Sequence, residues 1–80
     1  MNIKVLFFGI TTDLTGEQEV VLQVNEELSI NDFKSILKEK YSNLENLDTY
    51  ALAVNEAYVS YDIFLKPNDV VAIIPPVSGG

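Results

Sequence analysis

The two longest apolar runs, Val5–Phe8 and Val70–Ile74, stand at opposite ends of the chain, with one amphipathic stretch between them. A segment apolar on both of its sides suits the middle of a sheet, where neither face meets water. Two such strands separated by most of the chain can lie side by side in parallel, because the elements between them supply a long crossover. The ends of this chain are therefore expected to meet.

The rest of the sequence fits around that pair. Ile3–Phe8 is β-branched and aromatic and stops at Gly9; 11–18 carries turn residues and reads as a loop. Glu19–Val24 alternates, with Val20, Leu22 and Val24 on one side, which predicts a strand hairpinned to the first. Ser29–Tyr41 predicts the main helix. Ser29 is a good N-cap with Asp32 three residues on, and Ile30, Phe33, Ile36, Leu37 and Tyr41 form one apolar stripe. Ser42–Asp48 reads as polar connection. Tyr50–Val54 and Tyr58–Tyr61 read as strands about an Asn55-Glu56 turn, and Lys66-Pro67-Asn68-Asp69 as a turn feeding the last strand. This order predicts an α+β fold, one mixed sheet with one helix across one face, the arrangement of the ubiquitin-like β-grasp.

With 80 residues the chain has room for one domain, expected over 1–75 with an extended tail over 76–80. The absence of cysteine removes thiolate metal sites and a cysteine nucleophile, and the absence of histidine removes the usual general base near neutral pH. No acidic cluster has metal-loop spacing, so no metal site is expected. An independent catalyst is not the natural reading; a carrier or binding module is. Twelve acids against five basic residues give a net charge of −7, which argues against nucleic acid and anionic membranes and favours a protein partner with a basic patch. Met1-Asn2-Ile3-Lys4 lacks the start of a signal peptide, so a cytoplasmic location is expected.

Any chemistry concentrates in Pro75-Pro76-Val77-Ser78-Gly79-Gly80. Two prolines end sheet pairing and stiffen the exit. Pro76–Gly80, extended, would reach roughly 15 Å from the domain. Glycines at the tip suit a narrow tunnel in a partner enzyme, where side chains would clash. A carboxylate at Gly80 would become an acyl donor only after activation, and the chain has no phosphate-binding loop with which to activate it.

The tail Val71-Ala72-Ile73-Ile74-Pro75-Pro76-Val77-Ser78-Gly79-Gly80 closely resembles the C-terminal signature of the small subunit of molybdopterin synthase. Ile3–Gly9, Ala53-Val54-Asn55, Tyr58-Val59-Ser60 and the Leu65 to Asp69 turn resemble that family as well. Asn68 stands where the family usually has glycine, a change the turn absorbs. The resemblance implies a sulfur carrier. An adenylating enzyme related to ubiquitin-activating enzymes uses Mg-ATP to activate Gly80, and a sulfur donor leaves a thiocarboxylate there. The tail (Pro76, Val77, Ser78 and Gly79 behind Gly80) then threads into the large subunit, which builds molybdopterin from cyclic pyranopterin monophosphate. A heterotetramer of two small and two large subunits is implied, with no cofactor bound by this chain. Rival readings on the same fold are a sulfur carrier for thiamin or tRNA thiolation, and a protein modifier conjugated through Gly80.

Alternation also predicts a docking face. If Ile3, Val5 and Phe7 face the helix, then Leu6 and Phe8 face away, joined by Ala72 and Ile74 from the last strand and by Tyr58. Leu6, Phe8, Tyr58 and Ile74 are the expected partner-binding residues.

Overall fold

A computed structural model describes residues 1–76. Strand β1 (Asn2–Phe7) is followed by a short helix α1 (Ile10–Thr15), strand β2 (Glu19–Gln23), the main helix α2 (Ile30–Lys40), a 3-10 turn (Leu47–Thr49), and strands β3 (Ala51–Val54), β4 (Ala57–Val59) and β5 (Val70–Ile74). The five strands form one sheet in the order β2-β1-β5-β3-β4. The first and last strands are neighbours and run parallel, with Val5 opposite Val71 and Phe7 opposite Ile73. All other pairings are antiparallel. This is the mixed sheet expected from the two end runs.

Helix α2 begins where the sequence places it. The Ser29 hydroxyl accepts the Asp32 N–H at 3.1 Å, and Asp62 Oδ1 accepts the Asn31 N–H at 3.0 Å, so two of the helix's free amides have side-chain partners. Ile30, Phe33 and Leu37 turn inward onto Ile3, Val5, Leu52, Val71 and Ile73. Each fully buried Leu, Ile or Phe contributes about 1.5–3 kcal/mol of burial free energy, so this stripe is a main source of cohesion between helix and sheet. Phe7 meets the Tyr41 ring edge-on, with centroids 5.5 Å apart.

Two segments differ from the sequence reading. The stretch expected as a loop over 11–18 forms α1, because its threonines tie the backbone down. Thr15 Oγ1 donates to the Thr11 carbonyl at 2.8 Å, Thr12 Oγ1 reaches the Phe7 carbonyl at 3.3 Å, and Gly16 closes the turn in the left-handed region. The connection expected to be polar over 42–48 instead inserts Leu44 and Leu47, both fully buried. A ladder of turn bonds holds them, with the Leu44 N–H on the Tyr41 carbonyl and the Leu47 N–H on the Leu44 carbonyl. Two isolated leucines among polar residues have no periodicity to betray them.

The turns follow the residue chemistry. Asn55 and Glu56 both have positive φ (50° and 71°), the type I′ geometry that matches the twist of the β3–β4 hairpin. Pro67 and Asn68 form the centre of a turn closed by the Asp69 N–H on the Lys66 carbonyl at 3.1 Å, and Asn68 takes φ 69° as its position requires.

Candidate functional site

The strand register defines the sheet face that α2 leaves open. One row across it runs Tyr58, Ala53, Ala72, Leu6 and Glu19. A second pairs Ala51 with Ile74, and Phe8, just past the end of β1, lines a groove with Leu6 and Glu19. Three alanines thus make a shallow floor, flanked by Tyr58 on one side and by Leu6, Ile74 and Phe8 on the other. Tyr58 is 73% exposed and Phe8 47%, while Leu6, Ala72 and Ile74 are half-buried. The structure therefore brings the four residues expected at a docking surface onto one face. Lys4 and Glu19 form a 3.0 Å ion pair on the same face, a solvent-exposed contact of modest energy.

β5 ends at Ile74, so the chain leaves the sheet at Pro75 and Pro76 beside this face. Pro76 is exposed. Val77, Ser78, Gly79 and Gly80 lie outside the described residues.

The root of the tail is fixed by a corner that sequence reasoning missed. Gly9 lies between β1 and α1 with φ 58° and ψ −136°, a conformation open essentially to glycine alone. A Cβ there would sit 3.1 Å from Pro75 Cγ. Beside it Thr11 is fully buried; its hydroxyl donates to the Phe8 carbonyl at 2.5 Å and accepts the Phe8 N–H at 3.0 Å. The only sequence signal was Gly9 at the end of an apolar run followed by paired threonines. A groove of about 400 Å³ opens next to the corner, lined by Leu6, Phe8, Gly9, Thr12, Gln18 and Glu19 among others. Among the described residues no three His, Cys, Asp or Glu side chains gather as metal ligands, and no helix is long and apolar enough to cross a membrane. An apolar sheet face of this kind can bind a protein surface.

The class this fold defines is the ubiquitin-like β-grasp. SAMP1 from Haloferax volcanii superposes on the whole chain with a TM-score of 0.88 at 19% identity, over all of its own length, a likeness that speaks to fold alone. Residues 5–80 match the ThiS family, and the chain belongs to it. A Dictyostelium discoideum protein named "Molybdopterin synthase sulfur carrier subunit" is 38% identical over 99% of this chain and 96% of its own. In a complex of subunits 1 and 2 of the molybdopterin-converting factor from Helicobacter pylori, the matching chain is 30% identical with a TM-score of 0.73, both chains being covered completely.

Proposed function

We propose that this chain is the sulfur carrier subunit of a molybdopterin synthase. The observation that carries the reading is the placement of an apolar open face, Leu6, Phe8, Ala72, Ile74 and Tyr58, at the margin of which the chain exits through Pro75-Pro76, in a member of a family whose curated relatives are named for that role. The Helicobacter pylori complex supports a second subunit as a partner. Apolar surface of this kind is costly on an isolated monomer and characteristic of a protein interface. The net charge of −7 would hasten encounter with a basic partner surface.

In this reading residues 1–75 are the handle and 76–80 the transferring arm. An oxygen of the Gly80 carboxylate attacks the α-phosphorus of Mg-ATP held by a separate adenylating enzyme, and pyrophosphate leaves. A sulfur donor then displaces AMP, giving the thiocarboxylate. Conversion to an acyl-adenylate supplies the leaving group that a carboxylate lacks. In the synthase the large subunit provides the pocket in which that sulfur passes to cyclic pyranopterin monophosphate, so the small subunit acts in the cytoplasm as consumed and regenerated donor, two carriers serving each pterin. The test is reconstitution with the large subunit, the adenylating enzyme, ATP, a sulfur source and the pterin precursor. Molybdopterin should form with the full chain and not with one lacking Gly80; formation with the shortened chain would refute the reading.

A further inference from the structure

We propose that Thr11 is a positioning residue for the tail, its hydroxyl locking the Phe8–Gly9 corner into the seat on which Pro75 rests. The inference builds on the sulfur-carrier reading and adds to it a residue remote from the reacting carboxylate. Three observations converge on it. Thr11 is a polar residue fully buried on the inner side of a six-residue helix, next to the partly buried Leu14, so its hydroxyl has to find partners inside the protein. Its hydroxyl is spent entirely on Phe8, taking the N–H and capping the carbonyl, at the residue where β1 ends and its N–H no longer pairs within the sheet. The Thr11 backbone N–H reinforces the same carbonyl at 3.2 Å, and the Thr12 N–H bonds the Gly9 carbonyl at 3.1 Å, so the peptide units on both sides of Gly9 are pinned.

The consequence falls on Pro75. Gly9 presents bare backbone to the Pro75 ring, with less room than one methyl group needs, and the Thr11 bonds hold the corner on which that contact rests. Proline's own fixed φ then carries the direction set at residue 75 into Pro76. The same latch holds Phe8, whose exposed ring lines the groove with Leu6 and Glu19 on the open face. Thr11 thus couples the bearing of the chain at its exit to the aromatic at the rim of the docking face. A partner that must receive both at once gains from having them preset, since ordering them on binding would cost affinity.

The test compares Thr11→Val, which keeps the shape and removes the hydroxyl, with Thr11→Ser, which keeps the hydroxyl, and with Pro75→Ala, which removes the ring from the other side and leaves the core untouched. In the free protein, NMR should show a Gly9 Hα to Pro75 Hγ cross-peak and slow exchange of the Phe8 amide. Thr11→Val should lose both and Thr11→Ser should keep them. In sulfur transfer to the reconstituted synthase, Thr11→Val and Pro75→Ala should each raise the carrier's KM several-fold with kcat nearly unchanged, because the arm, once engaged, is chemically the same. The double variant should be no worse than the worse single one, as expected for two residues acting through one contact. Thr11→Ser should restore the wild-type KM. An intact cross-peak and an unchanged KM in Thr11→Val overturn the inference. If the wild-type chain supports no transfer at all, the functional reading fails instead, and the cross-peak and Phe8 exchange still decide whether Thr11 seats Pro75.

Discussion

Asn55 and Asp69 clasp the β3–β4 turn to the start of β5. The Asn55 amide donates to Asp69 Oδ1 at 2.9 Å, and its carbonyl oxygen accepts the Val70 N–H at 3.0 Å. The other Asp69 oxygen accepts the Lys66 N–H at 2.8 Å, and backbone bonds run from Asn55 N–H to the Val70 carbonyl and from Lys4 N–H to the Asp69 carbonyl. Two turns fourteen residues apart are thereby joined at the end of the central strand pair where β5 begins.

Asp69 is buried, so removing its partners leaves its carboxylate short of hydrogen bonds in a site with little water, and removing the carboxylate breaks two bonds at once. Asp69→Ala should cost about 1.5–3 kcal/mol, the usual range for hydrogen bonds to a charged group. In a domain of this size that lowers the melting temperature by about 6–24 °C. Asn55→Ala should act in the same direction. Thermal melts followed by circular dichroism check both, and a shift of only a degree or two would show the clasp to be ornamental.

Glu56 sits at φ 71°, where its side chain is strained and the turn type favours glycine. Glu56→Gly should therefore stabilise the protein, by up to about 1 kcal/mol. Urea unfolding with an unchanged m-value is the appropriate measurement. A destabilised variant would mean that Glu56 makes contacts worth more than its strain.

The open face separates stability from binding. Phe8→Lys and Tyr58→Lys place a charge where the side chain is already in water, so their melts should stay near wild type. Binding to the large subunit should weaken at least about tenfold for whichever residue is an interface anchor, a loss of ~1.4 kcal/mol or more. Ile74→Lys, at a half-buried position, should lose binding with a modest drop in melting temperature. Unchanged titrations for all three would remove this face from the interface.

Lys38 holds the Asp48 carboxyl below its ordinary pKa, chiefly through the 2.7 Å hydrogen bond between them, with Lys34 adding attraction. A depressed folded-state pKa means that the pair's contribution is present above the unfolded value and is lost as the pH falls through the folded one. The pair is exposed, so its effect on stability should be small and screened by salt. NMR titration of the Asp48 side chain should show the depressed value, and Lys38→Met should return it toward the ordinary one. An unmoved titration would show that the two side chains do not pair in solution.

Much of this architecture was legible because it rests on periodicity. The alternation of Ile3, Val5 and Phe7 against Leu6, and of Val71 and Ile73 against Ala72 and Ile74, assigns both sheet faces, and the stripe from Ile30 to Leu37 assigns the helix. The positive φ at Asn68 was legible from turn chemistry. The illegible parts have no period. Leu44 and Leu47 are buried by a chain of turns that no local pattern announces, and α1 depends on threonine hydroxyls that find carbonyls only once the corner has formed. The Gly9–Pro75 contact joins residues at opposite ends of the chain and exists only because β1 and β5 are neighbours. Sequence reading drew its expectation of a tail from that segment's own composition and missed the glycine corner against which Pro75 packs.

Intact-protein mass spectrometry is the direct test of sulfur carriage at Gly80. The full chain is incubated with the adenylating enzyme, ATP and a sulfur donor, then mixed with the large subunit and cyclic pyranopterin monophosphate. The account predicts a species heavier than the unmodified chain by the difference between sulfur and oxygen, localised to Gly80 by fragmentation, which disappears as molybdopterin forms and is absent when Gly80 is deleted. Molybdopterin produced with no such species at any time, or a covalent conjugate through Gly80 to a partner's lysine in its place, would contradict it.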